Sequence, residues 1–335
     1  MSKPVTRKMV AEEAGVSETI VSYVVNNNRY VDKEKRRRVE EAIQRLGYQP
    51  NAIARSLKSR RSQHIIFIAD QVNNEHFGNL ISEMDSLLYN KGYLISLAQN
   101  RDADEFIQHI ISRQFDGIII SSVSMREAHI CALAAAGIPV VVLMNRSYNN
   151  LPSHIGKIYP GLYDGARECV RHLYEMGSRE IIYIDRMSSR GHFSGLSDLR
   201  LKGFLDELAA LKLQFDTDRI ITECENEGDV AAKITTRIKS GLPVDAVFAR
   251  NDNMAAIAIR ALRELNLRIP QDVKVAGFDN SNMSRHIVPS LTTVEIDRKG
   301  TAQAAVGLLR DMIDKQPISP VELKTNLVIR ESTKK

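Results

Sequence analysis

Ser17, Glu18, Thr19, Ser22 and Tyr23 are the side chains whose types and spacing first suggest a chemistry. At helical spacing they share the outward side of a stretch whose other side carries Ile20, Val21, Val24 and Val25. A carboxylate, a phenol and three hydroxyls displayed this way are groups for hydrogen-bonded recognition. The elements that must hold them read as two short helices and a tight turn. Thr6 is an N-cap, and Val10, Ala11 and Ala14 then fall on one face. Gly15 takes the positive φ that ends a helix, and Ser17 caps the next one. Small Ala11 and Ala14 let the helices approach closely. This is the pattern of a helix-turn-helix, whose second helix enters a DNA major groove.

Arrangements for covalent or metal chemistry are missing from the sequence. There is no GxGxxG after a strand, no GxxxxGK[ST] loop and no HExxH. Gly191-His192-Phe193-Ser194-Gly195 approaches GxSxG but carries its Ser one place late. The 8 His residues lack metal-ligand spacing. The acid pairs Asp102/Asp104 and Glu225/Glu227 read as loop or helix-start residues. No enzyme, cofactor or metal site is expected.

The chain of 335 residues is long enough for two or three compact units. Its charge is concentrated at one end. Residues 1–63 hold 14 Lys and Arg against 7 Asp and Glu, and the remainder holds 32 against 34. A basic head on a near-neutral body points to a polyanionic partner for the head alone. No apolar run approaches the ~20 residues of a membrane span, and the polar N-terminus lacks a secretory core. A cytoplasmic location with no membrane partner is the expectation. Cys131, Cys169 and Cys224, scattered and odd in number, read as reduced thiols.

After Asn26, Asp32 caps a third helix over 33–46, with Val39, Ala42, Ile43 and Leu46 inward and Gly47 at its end. Lys35, Arg36, Arg37 and Arg38 make its start basic and suited to phosphate contact. Pro50 breaks that helix, and Asn51 caps a short one reaching Leu57, too short to be stable alone. From His64 onward, apolar runs alternate with amphipathic stretches. Strands are predicted at 65–69, 93–97, 117–121, 140–143, 180–184, 246–249, 273–278 and 325–330. Helices are predicted at 77–90, 105–113, 126–136, 161–176, 199–211, 229–240 and 253–265. Such alternation means parallel α/β sheets covered on both faces, with ligands outside the carboxyl ends of the strands. The loops 145–153 and 187–197 read as connections near that cleft.

Several motifs together resemble the LacI (lactose/galactose repressor) family of bacterial transcription regulators. In the head they are Val10-Ala11-x-x-Ala14-Gly15-Val16-Ser17, Val21-Ser22-x-Val24-x-Asn26, Arg36-x-Arg38-Val39, Leu46-Gly47-Tyr48-x-Pro50-Asn51 and Ala54-Arg55-x-Leu57. In the body they are Arg200-x-x-Gly203-Phe204, Asn251-Asp252-x-Met254-Ala255, Val275-Ala276-Gly277-Phe278-Asp279, Leu291-Thr292-Thr293 and Leu327-Val328-Ile329-Arg330. The resemblance implies a small all-α head at 1–47 and a hinge helix and linker at 48–63. It implies an α/β core at 64–335 of the periplasmic-binding-protein type, with two parallel-sheet subdomains. The N-subdomain would take 64–162 plus 296–325, and the C-subdomain 163–295 plus 326–332.

The same resemblance implies a homodimer that binds a pseudo-palindromic double-stranded operator. Glu18, Thr19 and Tyr23 fall at base-reading places, where the family very often has Arg at the position of Tyr23. Arg pairs bidentately with guanine and Tyr offers one hydroxyl, so the operator is expected to depart from the family's usual half-site. Leu57 falls at the hinge position that wedges into the minor groove. Thr6, Ser17, Ser22, Asn26, Arg29, Arg36, Asn51, Ala54 and Arg55 complete the expected DNA-contacting set.

A small-molecule effector, a sugar or sugar derivative, is implied in the cleft, where Arg200, Asn251 and Asp279 match hydroxyl-binding positions. Phe77, Asn145 and Ile296 would join them. A plainer role for Arg200 and Asp279 is a structural ion pair across the cleft. Three departures, Glu75-His76, Tyr159-Pro160 and Ile296, leave a sugar phosphate or a non-sugar metabolite open, as inducer or corepressor. A solute receptor with an added basic head would need an export signal. An enzyme with a regulatory head would need a catalytic constellation.

Overall fold

The computed structural model describes residues 5–49, 61–72 and 74–334. The chain divides into two compact units, residues 1–62 and 63–335. The expected hinge helix, with Asn51, Ala54, Arg55 and Leu57, lies outside the described residues.

The head is built by its caps. Helix α1 (Arg7–Ala14) starts where the Thr6 hydroxyl accepts from the Met9 N–H, and it ends at Gly15 with φ 60°. Helix α2 (Glu18–Asn26) starts under the Ser17 hydroxyl, which accepts from the Ile20 N–H, and ends at Asn27 with φ 45°. Helix α3 (Lys33–Leu46) is capped by the Asp32 carboxylate and closed by Gly47. Val10, Ala11 and Ala14 meet Val21, Val24, Val39 and Ala42 in one core, sealed by Val31 and Tyr48. Ile20, Val25, Ile43 and Leu46 pack against this core and are partly buried.

The larger unit holds two six-stranded sheets. The first contains β1 (His64–Ala69), β2 (Leu94–Gln99), β3 (Gly117–Ser121), β4 (Val140–Leu143), β5 (Gly156–Tyr159) and β11 (Val321–Glu322). Its order is β11-β5-β4-β3-β1-β2, all parallel. The second contains β6 (Ile181–Ile184), β7 (Ile220–Ile221), β8 (Ala246–Ala249), β9 (Lys274–Phe278), β10 (Thr292–Ile296) and β12 (Thr325–Val328), in the order β12-β10-β9-β8-β6-β7. It departs from a purely parallel sheet at its edge, where β12 runs antiparallel to β10.

Residue alternation explains why the central strands are apolar throughout. In β3, Ile119 enters one core while Ile118 and Ile120 enter the core on the opposite face. In β6, Ile181 and Tyr183 face one cluster, and Ile182 and Ile184 face the other. Helices α4 (Glu75–Tyr89), α5 (Asp104–Ser112) and α6 (Glu127–Ala135) cover the first sheet, together with α12 (Arg298–Ile313). Helices α7 (Leu162–Glu175), α8 (Leu199–Ala210), α9 (Glu227–Lys239) and α10 (Asp252–Glu264) cover the second, and the short α11 (Met283–His286) precedes β10. The chain crosses between subdomains after β5, after β10 and between β11 and β12. Helices α7 and α8 touch closely because residue 203 is glycine. A Cβ there would collide with the Tyr163 carbonyl oxygen.

Candidate functional site

In the head, Glu18 and Thr19 are exposed on the first turn of α2, while Ser22 and Tyr23 are half-buried. Thr6 and Ser17 use their hydroxyls as helix caps. The Asn26 amide donates to the Ser22 carbonyl at 2.9 Å, so it lies back along its own helix. Arg29 returns to Tyr23, donating to its hydroxyl at 3.4 Å. Arg36 donates to the Asn27 side chain at 3.2 Å. Arg37, in the basic run, is held by Glu34 at 2.6 Å and Glu41 at 2.7 Å.

In the core, one cavity of about 80 Å³ is lined by Phe77, Asn145, Arg200, Asn251, Asp279 and Ile296. All six residues singled out in the sequence for the cleft therefore share one space. They reach it because the strands of both sheets end there: Asn145 follows β4, Asn251 follows β8, Asp279 follows β9, and Ile296 closes β10. Phe77 stands on α4 with its ring centroid 5.9 Å from Phe67 and 5.3 Å from His76. Asn145 donates to the Ser121 hydroxyl at 2.9 Å. The Asn251 side-chain oxygen caps α10 by accepting from the Met254 N–H at 2.9 Å, and this leaves its NH2 for the cavity.

Arg200 and Asp279 do form an ion pair, at 3.0 Å. It does not cross the cleft, because α8 and the β9 end that carry them pack on the same second sheet. The Arg200 guanidinium also lies 4.4 Å from the Phe278 ring centroid, and its Nε has no partner. Asp279 holds an unusual φ of 98°. Its N–H donates to the Val294 carbonyl at 2.8 Å, and the next two residues are fixed by Thr293 and by the buried Asp252. Such strain persists where surrounding bonds over-determine it, and it aims the carboxylate.

Among the described residues, the ion pair that crosses the cleft is Asp70–Arg186, at 2.7 Å. Asp70 follows β1 of the first sheet and Arg186 follows β6 of the second. Asp70 also accepts from Ser122, from Ser124 at 2.6 Å and from the Val123 N–H at 2.9 Å. Burial opposes its ionisation, but Arg186 and the serine hydroxyls win and hold its pKa down at about 2. Beneath the cavity, Arg250 meets Asp198 at 2.7 Å and Asp185 at 3.6 Å. These three residues are buried.

Burial, reinforced by Arg298 and Arg200 and countered by Asp279, lowers the His76 pKa to about 4, so a neutral imidazole faces the cavity. The folded value lies below the unfolded one, so the stability it contributes is present above about pH 6.5 and is lost as pH falls towards 4. Asp70 behaves alike over a lower window, from its ordinary 3.8 down to about 2. A His76→Gln variant is expected to lose less melting temperature than wild type between pH 7 and pH 4.5. Parallel melting curves for the two proteins would contradict this assignment.

Residues 7–51 match the family model for bacterial regulatory proteins of the lacI family, and 170–333 match a periplasmic binding protein-like domain. The transcriptional repressor PurR of Histophilus somni is 30% identical, covering 98% of this chain and 99% of its own. PurR of Vibrio parahaemolyticus is 31% identical over the same shares. The chain belongs to the LacI family. The structure of the Lac repressor dimer bound to operator and the anti-inducer ONPF aligns with a TM-score of 0.85 at 26% identity, covering 99% of both chains. This LacI-family member is thus a DNA-binding transcriptional repressor with an effector-binding core of the periplasmic-binding-protein type. Among the described residues no helix is long and apolar enough to cross a membrane.

Sequence reasoning assigned no cleft role to four ionisable lining residues of this LacI-family site: Asp70, Arg186, Arg250 and His76, the last met only in the Glu75-His76 departure. Three of them directly follow the C-terminal ends of apolar strands or stand one residue beyond, which is the signal that would have found them. His76 carries no such signal, because the helix was expected to begin at Phe77 and begins at Glu75.

Proposed function

We propose that operator binding by this repressor is switched by a polyhydroxylated, sugar-like effector held in the cleft, and that the protein acts as a homodimer without enzymatic activity. The observation that carries this reading is the convergence of Arg200, Asp279, Asn251 and Asn145 with Phe77 and neutral His76 on one cavity. A guanidinium and a carboxylate each engage two hydroxyls, amides add single donors, and an aromatic face covers the apolar side of a sugar ring. In the head, Glu18, Thr19 and Tyr23 on α2 are the base-contacting groups, with Arg29, Arg36 and the segment bearing Asn51, Ala54, Arg55 and Leu57 as further contacts. The homodimer is supported by an apolar hollow on the core formed by Ala256, Ile259 and Arg263 of α10 with Ile287 and the exposed Val288.

The test begins with full-length protein and a random double-stranded DNA pool at moderate salt. A two-fold symmetric site is expected. Binding to that site is then followed while monosaccharides, disaccharides and sugar phosphates are added one at a time. A true effector is expected to change operator affinity by about 5–150-fold and to raise the melting temperature of the protein. Loss of both responses in Arg200→Ala would support the cleft as its site. Responses confined to compounds without a polyol would replace the sugar reading with another metabolite class.

A further inference from the structure

We infer that Arg29, steered by Tyr23, reads a guanine in each half-site, so that two residues together supply the guanidinium that the recognition helix lacks. This rests on α2 being the helix that enters the major groove. Tyr23 alone presents one hydroxyl to a base edge, whereas guanine presents two acceptors, O6 and N7, side by side. The chain supplies a planar donor from just beyond the helix. Asn27 adopts φ 45° at the end of α2 and turns the backbone. Arg29 then comes back over a residue six positions earlier. Its guanidinium carbon lies 5.2 Å from the Tyr23 ring centroid, and its Nη1 donates to the Tyr23 hydroxyl at 3.4 Å.

Ring contact and hydrogen bond together fix the guanidinium on Tyr23. One N–H of Nη1 is used, and the edge formed by Nε and Nη2 remains as a two-donor fork. Two other arginines of the head contrast with this one. Arg37 is held by Glu34 and Glu41, and Arg45 is held by Glu13 at 2.6 Å. Among the described residues, no carboxylate lies within ion-pair distance of Arg29. Its neighbour Tyr30 is 89% exposed, so the loop stands clear of the head core. An exposed, pre-oriented guanidinium beside the base-reading face is matched to a base edge. An isolated phosphate contact would not need the orientation.

The experiment is sequence selection from random double-stranded DNA, run in parallel with wild type, Arg29→Ala, Arg29→Lys and Tyr23→Phe. Affinities for the selected site and for its single-position variants are then measured at two salt concentrations. All four proteins should fold, because Arg29 is exposed and Tyr23→Phe keeps the half-buried ring that packs against the head core. Wild type is expected to require guanine at one symmetry-related position. Arg29→Ala should lose that requirement and bind the site about tenfold or more weakly, with other positions unchanged. Arg29→Lys keeps the charge but not the fork and should lose the same requirement. Tyr23→Phe should relax the same position in part.

Uniform weakening of Arg29→Ala across all sequences, with a salt slope smaller by about one ion, would make Arg29 a phosphate contact and overturn the inference alone. So would Tyr23 and Arg29 variants that relax different positions. A wild-type selection that returns no motif would overturn the recognition-helix reading and this inference together.

Discussion

Replacing Arg250 with alanine is expected to destabilise the second subdomain by about 3–5 kcal/mol and to lower its melting temperature by roughly 6–20 °C. Arg250 stands at the end of β8 with its side chain enclosed. Its Nη1 meets the Asp198 carboxylate and the Ser194 hydroxyl, both at 2.7 Å, and Asp185 at 3.6 Å. Asp198 is 1% exposed and Asp185 2%. Without the guanidinium, two carboxylates stay out of water with no cation between them. Asp198 is tied in place because it also caps α8, accepting from the Arg200 and Leu201 N–H groups at 3.0 and 3.2 Å. Asp185 is tied to the Ser194 N–H at 2.9 Å. Asp198 cannot swing into solvent without loosening the helix that carries Arg200, and Asp185 cannot do so without breaking its bonds to Ser194 and Thr222. The pair therefore cannot relax locally, and the cost falls on the fold. Thermal and urea denaturation of the variant measure it. Adding Asp185→Asn to Arg250→Ala is expected to recover part of the loss by removing one stranded charge. A variant that melts within a degree of wild type would show that the buried network contributes nothing to stability.

The head was legible in the sequence because its determinants are local. Thr6, Ser17 and Asp32 cap their own helices, and Gly15 and Gly47 end them, so spacing alone located all three. The central strands were legible for a different reason. A strand buried on both faces must be apolar at every position, as Ile118-Ile119-Ile120 is, and such runs stand out. What escaped lies at the sheet edges and at the crossovers. β10 reads Thr-Thr-Val-Glu-Ile, and β5, β7 and β11 are four residues or fewer, so none carries a clear period. α12 was missed because it contains Gly300 and Gly307, both unfavourable to helix, and packing on the first sheet overrides that weakness. The cleft was legible in six lining residues but not in its electrostatics. Asp70 and Arg186 are 116 positions apart, and nothing in either neighbourhood pairs them. For the same reason the plainer role offered to Arg200 and Asp279, an ion pair across the cleft, puts the span on the wrong pair.

That spanning pair carries the second large effect: Arg186→Ala is expected to open the cleft without unfolding either subdomain. The cavity of about 80 Å³ is well below the ~300 Å³ at the small end of ligand pockets. Admission of an effector therefore requires the subdomains to part. Holding the cleft shut around an unpaired Asp70 would cost about 3–5 kcal/mol, whereas opening lets water reach the carboxylate. Asp70 keeps the Ser122, Ser124 and Val123 donors in either state, so the first sheet is not disturbed. The bonds at risk are those that run across the cleft. Ser147 N–H donates to the Ser197 carbonyl at 2.8 Å, and Leu199 N–H to the Asn145 carbonyl at 3.1 Å. Asn282 N–H donates to Glu75 at 2.9 Å, and Gln71 donates to the Met187 carbonyl at 3.1 Å. Each 1.4 kcal/mol shifts the ratio of open to closed tenfold, so amide exchange at Ser147, Leu199 and Asn282 should quicken by about a hundredfold or more. Amides inside β3 and β8 serve as the reference and should keep their protection. Arg186→Lys, which keeps the charge, should fall between the two. Unchanged exchange at the three bridging amides in Arg186→Ala would mean that the backbone bonds hold the cleft by themselves. The Asp70–Arg186 pair would then be a passive wall of the site and not its latch.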